Sequence, residues 1–163
     1  MHLSKTTWIV ISGVVWFIVG TALLTLGLNF IVCKAQIDID ETTSLIAKIA
    51  PFVQGREQAA LALVIVGLTI GFIKGRYVLV KTVKRVVERI VNLPSPIKIS
   101  QVYGKGYLLL IVGMILLGLS MKWLGLPIEI RGMIDVAIGS ALMNGAVAYF
   151  RIAFSMQKTK NSG

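Results

Sequence analysis

Residues 8–32 read WIVISGVVWFIVGTALLTLGLNFIV, 25 residues without a charged side chain. As a helix rising 1.5 Å per residue, this stretch covers about 37 Å, more than the ~30 Å hydrocarbon core of a bilayer. A buried helix of a soluble bundle would need a polar outer face, and this stretch has none. The rest of the chain is of the same kind, with 56% hydrophobic residues, 15% charged and a mean hydropathy of +0.83. Soluble domains run at about 45–50% apolar and about 25% charged. An all-α integral membrane protein is expected.

Three other stretches are shorter. Residues 58–73 and 106–121 each hold 16 uncharged residues, and 136–150 holds 15, below the usual span of about 18. Their flanks are mostly Lys74, Arg76, Lys105, Lys122 and Arg151, whose long stems reach the headgroups from within the apolar layer. The last stretch extends back to Ile128 across Arg131 and Asp135, which makes roughly 35 Å of helix. Four transmembrane helices are expected, near 8–32, 58–77, 104–123 and 128–151, forming one membrane domain of two tandem in–out–in helical hairpins. An external loop fills 34–56, and a basic segment fills 78–103.

Seventeen Lys and Arg against seven Asp and Glu give a formal +10, which in a soluble protein points to nucleic acid. The placement of the charges says otherwise. Lys5, eight bases between residues 74 and 105, and Arg151, Lys158 and Lys160 fall on one side of the spans, with Glu88 the one acid among them. The other side carries five bases and six acids. Loops rich in Lys and Arg stay in the cytoplasm, so both termini are expected inside, in the plasma (inner) membrane if the cell is bacterial. Tyr77, Tyr103, Tyr107 and Tyr149 then stand at the inner boundary as an aromatic belt. The first span is too long for the roughly 7–15-residue core of a cleaved signal peptide and is read as retained. Cys33 is the only cysteine, so there is no intramolecular disulfide framework.

The halves resemble one another. Ile18-Val19-Gly20 recurs as Ile111-Val112-Gly113, and at that offset of 93 Gly13 falls on Gly106 and Gly27 on Ser120. Gly67, Gly71 and Gly75 form a four-residue ladder, Ala137, Ala141 and Gly145 have the same spacing, and setting Gly67 on Ala141 gives an offset of 74. Small residues at such spacings let backbones approach where lipid removes the hydrophobic drive for association. These positions are the expected helix contacts, and the two halves are expected to be related by an axis along the membrane normal.

No turn signal interrupts the chain between Ile73 and the Leu-Pro-Ser-Pro of 93–96. The second helix is expected to run through Val91, about 50 Å in all; a break at Gly75 that lays its tail flat on the membrane is the other option. Leu79, Val83, Val86, Val87 and Ile90 make an apolar stripe, and Lys74, Lys81, Lys84, Arg85 and Glu88 take the remaining faces. With Arg76, Arg89 and Arg151, these bases are the expected contacts to anionic headgroups or to a partner protein. Each base near an acidic surface contributes about 1 kcal/mol. On the outer side, Thr42-Thr43-Ser44 ahead of Leu45, Ile46, Ile49, Phe52 and Val53 reads as a capped interfacial helix stopped at Pro51.

Polar groups inside a membrane are costly, so each is a functional candidate. Asp135 has Arg131 four residues before it on the same face, the spacing of an ion pair. Asn144 lies mid-span and is expected to bond across helices for about 0.6 kcal/mol. The offset of 74 sets Glu57 at the depth of Arg131, as a bridging partner across the two halves.

Nothing in the chain spells an enzyme. The only histidine is His2, Cys33 has no neighbouring base, and no Gly-rich phosphate loop follows a strand. Neither metal nor cofactor is expected. The expected function is that of a non-catalytic polytopic protein, a subunit or scaffold whose basic segment binds anionic lipid or a partner. A second copy of the chain or another membrane protein is the expected protein partner, and nucleic acid is not one. The alternative is a small oligomeric channel or carrier with a polar path through Asp135, Arg131 and Asn144.

Overall fold

The computed structural model describes residues 4–36, 44–53, 55–92, 113, 116, 120–121 and 123–161. Among these, every regular element is helical. Helix α1 spans Lys5–Gln36, α2 Leu45–Ile49, a 3-10 turn Ala50–Phe52, and α3 Arg56–Lys74. A π-helical stretch at Gly75–Leu79 leads into α4, Val80–Asn92, and α5 spans Ile128–Asn161. Three segments, Lys5–Cys33, Arg56–Asn92 and Ile128–Lys158, are long and apolar enough to cross a membrane. The expected third span, 104–123, lies outside the described residues but for Gly113, Leu116, Ser120, Met121 and Trp123, which are helical. Its end is described. The Leu126 N–H donates to the Met121 carbonyl at 3.3 Å, and Gly125 takes φ +62°, the left-handed residue that closes a helix where a side chain would be strained.

Most hydroxyls on the apolar helices are satisfied locally, while Ser140 of α5 donates across to the Leu68 carbonyl of α3 at 3.5 Å. Ser12, Thr21, Thr25 and Thr69 each donate to the carbonyl four residues earlier, at 2.7–3.0 Å. Those donors therefore need no partner from another helix.

Helix α5 is central. It runs antiparallel to α1, with Gly13 against Tyr149 and Phe150, Gly20 against Gly139, and Gly27 against Gly132. It runs parallel to α3, with Gly67 against Met133 and Val136, Gly71 against Ala137, and Gly75 against Ala141. Two faces of small residues on one helix thus hold two neighbours at backbone distance. The ladders at 67–71–75 and 137–141 are the expected ones, and Gly145 sits against the Trp16 ring. The repeat fares differently at Gly113, the counterpart of Gly20. It is exposed, and among the described residues nothing lies within 4 Å of where its Cβ would stand.

A small residue every four positions overshoots a 3.6-residue helix by roughly 40° per step. The ladder of α3 drifts around its own helix for this reason, and the π-helical stretch Gly75–Leu79 begins at its last rung. The chain therefore does not break at Gly75, which is buried on Ala141. The helix continues to Asn92.

The apolar stripe of α4 turns toward protein, not toward a membrane surface. Val83, Val87 and Ile90 are buried with Trp8, Ile9, Trp16, Leu142, Tyr149 and Ala153. Tyr149 is wholly buried and meets Trp16 edge-on, ring centroids 5.6 Å apart, so it is a core residue and no part of an aromatic belt. Tyr77 is exposed, while Tyr103 and Tyr107 lie outside the described residues. The Lys5 ammonium donates to the Val91 carbonyl at 2.6 Å, a cation at the C-terminus of α4 where the helix dipole favours it.

A second core closes the other end from Ile31, Ile46, Ala59, Ala60, Leu63 and Val136. As expected, Ser44 caps α2, accepting from the Ala47 N–H at 3.4 Å, and α2 gives way at Ala50 to the 3-10 turn that holds Pro51. Ile46 is nonetheless buried inside the bundle, and of the large apolar residues described in that segment Phe52 alone faces outward.

Candidate functional site

At the end where Lys5 meets Val91, α5 and the π-stretch diverge around an open groove of about 490 Å³. Phe72, Arg76, Val80 and Lys84, at four-residue spacing with Tyr77 beside them, form one wall. Asn144, Val147, Ala148, Arg151 and Ile152 of α5 form the other. Arg76, Lys84 and Arg151, three of the seven bases expected to meet headgroups or a partner, converge on it. Lys74, Lys81, Arg85 and Arg89 lie outside it, and all seven are exposed. The π-stretch positions the wall, because Gly75 is pinned to α5 while Arg76 and Tyr77 stand free of it.

Asn144 does not bridge two helices. Its Nδ2 donates to the Ser140 carbonyl at 3.1 Å, within α5, and one amide N–H remains to face the groove. The guanidinium that binds an aromatic ring is that of Arg131, whose Cζ stands 5.6 Å from the centre of the Phe30 ring on α1. This cation–π contact offsets part of the cost of an arginine near the apolar layer. Glu57 is exposed in the first turn of α3, so the structure takes Arg131 to Phe30 and not across to Glu57. Asp135 is half-buried one turn beyond Arg131. Asn144 is nine residues farther, about two and a half turns, and so on the opposite side of α5 from Asp135. Within one chain, Asn144 therefore does not share a face of α5 with Arg131 and Asp135.

Compared with known proteins, the chain matches no family model, no curated protein and no solved structure.

One polar residue carries more than its place in the sequence suggests. Glu129, in the first turn of α5, is 2% exposed and accepts from the Ser44 hydroxyl at 2.6 Å. The helix N-terminus behind it favours the negative charge, and the bond ties α2 to the start of α5. In the sequence Glu129 is one acid among several between spans, and no local pattern pairs it with a serine 85 residues away. Among the described residues no three His, Cys, Asp or Glu side chains gather as metal ligands.

Proposed function

We propose a four-crossing membrane protein, both termini inside, whose basic end binds anionic lipid without catalysing a reaction. The described helices support a fourth crossing. Asn92 belongs to the end that holds Lys5, whereas Ile128 belongs to the end that holds Ser44, and α1 and α5 pack along about 27 Å between them. The chain between residues 92 and 128 has to return over that length, and the apolar run 106–121 is suited to it. The excess of Lys and Arg at the Lys5 end favours that end as the cytoplasmic one.

The observation that carries the lipid reading is the groove itself. Three cations stand beside the apolar side chains Phe72, Val80, Val147 and Ile152, the combination that a phosphate with acyl chains attached would meet at an inner leaflet. Because most of the apolar stripe of α4 is already used in the core, the segment presents mainly bases to its surroundings, Lys81, Lys84, Arg85 and Arg89 with Glu88 among them.

Two measurements test this reading. Cys33 is exposed near the Ser44 end. A membrane-impermeant maleimide is expected to label it from outside intact cells, and labelling only in inside-out vesicles overturns the orientation. Lipids retained through purification in mild detergent are expected to be enriched in acidic species over the source membrane. Retained lipid of unchanged composition overturns the binding function.

A further inference from the structure

The groove has two polar levels. A Cβ placed on Gly75 would stand 3.2 Å from the Cβ of Asn144, so Arg76 and Asn144 share the level nearer the apolar span. The two walls run in the same direction, and Lys84 and Arg151 come eight and seven residues later, about 10 Å farther along the helix axes. Between the levels, Val80, Val147 and Ala148 offer an anion nothing. A single phosphate reaches one level and leaves the other occupied by water.

We propose that the groove binds one lipid that carries two phosphate groups. Arg76 and the free amide N–H of Asn144 hold the first, and Lys84 and Arg151 hold the second. The acyl chains leave past Phe72, one turn toward the apolar part of α3. Guanidinium groups suit phosphate through paired donors, and the ammonium of Lys84 adds a compact charge. This assignment rests on the lipid reading above and makes it specific. Two chemistries supply such a lipid. Its phosphates are either two diesters bridged by glycerol, or one diester with a monoester on the headgroup.

The test uses the full chain in nanodiscs of phosphatidylcholine. Phosphatidylglycerol, diphosphatidylglycerol or phosphatidylinositol 4-phosphate is added at matched total charge, and bound lipid is counted by native mass spectrometry. One two-phosphate lipid per chain is expected, held about tenfold tighter than phosphatidylglycerol; whichever of the two binds identifies the source. Arg76→Gln and Arg151→Gln are each expected to weaken it about fivefold, and Lys48→Gln, exposed on α2 at the opposite end of the bundle, to leave it unchanged. Inorganic phosphate at millimolar concentration is expected not to displace the lipid, and displacement overturns a lipid ligand. Equal binding of phosphatidylglycerol at matched charge overturns the two-phosphate site and leaves a diffuse preference for acidic lipid standing. Equal retention of phosphatidylcholine overturns both readings. The comparison of lipids on the unaltered chain decides the matter even where a variant fails to fold.

Discussion

Gly20 of α1 and Gly139 of α5 face each other backbone to backbone. A Cβ on Gly20 would lie 3.0 Å from the Gly139 carbonyl oxygen, and a Cβ on Gly139 would lie 2.7 Å from that of Gly20. Seven residues along each helix, Gly27 and Gly132 repeat the relationship at 2.5 and 2.8 Å. Backbone this close leaves no room for a side chain, and in lipid such close packing is what holds the two helices together. Gly20→Leu and Gly139→Leu are each expected to destabilise the chain by about 1–3 kcal/mol or more. The double variant is expected to cost less than the two together, because one separation of the helices relieves both. Ile18→Leu, on the exposed side of α1, is the control. Unfolding in graded denaturing detergent reads all four.

Ser44 serves two partners at once, capping α2 through the Ala47 N–H and donating to Glu129. Ser44→Ala removes a hydrogen bond to a buried charge, at about 1.5–3 kcal/mol. Ser44→Asp is the discriminating variant. Aspartate is as good a helix cap as serine, but here it would set one carboxylate against another. It is expected to be worse than alanine, with faster hydrogen exchange across residues 45–52. An aspartate variant as stable as the parent would falsify the latch.

Ile90 is wholly buried in the core that α4 shares with α1 and α5. Truncation by Ile90→Ala is expected to cost about 2–5 kcal/mol and to loosen α4. The readout is limited proteolysis by trypsin, with cleavage after Lys84, Arg85 and Arg89 expected to accelerate. Unchanged cleavage would mean that the stripe is held by lipid and not by protein.

Phe30→Leu removes the ring under Arg131 and retains most of the apolar volume. The expected loss is about 0.5–1 kcal/mol, rising toward about 2 if the pair is dry. Phe30→Trp is expected to restore or exceed the parent stability in thermal unfolding.

Much of the bundle is readable from residue types alone. A glycine every fourth position in an apolar run has few uses in lipid other than contact, so Gly67, Gly71 and Gly75 announce an interface. Gly132, Gly139 and Ala146 repeat the seven-residue spacing of Gly13, Gly20 and Gly27, but Ala137, Ala141 and Gly145 overlie them on the same helix and make the stronger pattern. Periodicity tells which face of α4 must be covered, not by what, and so Val83, Val87 and Ile90 read equally well as lipid-facing. The groove is legible only in part. Lys84, Arg85 and Arg89 are alike as exposed bases, and only the approach of α5 selects Lys84 and brings Arg151 to it. Glu129 gives no signal, since its burial depends on a serine in a distant loop.

The most extensive packing among the described residues joins the first and the last of the described helices, and this has a consequence for biosynthesis. When residue 36 has left the ribosome, the glycine face of α1 has no mate, and its mate is complete only 125 residues later. At about 5–20 residues per second, that interval is on the order of 10 s. Throughout it, a flat strip of exposed backbone waits in the membrane, open to any other helix that can come as close.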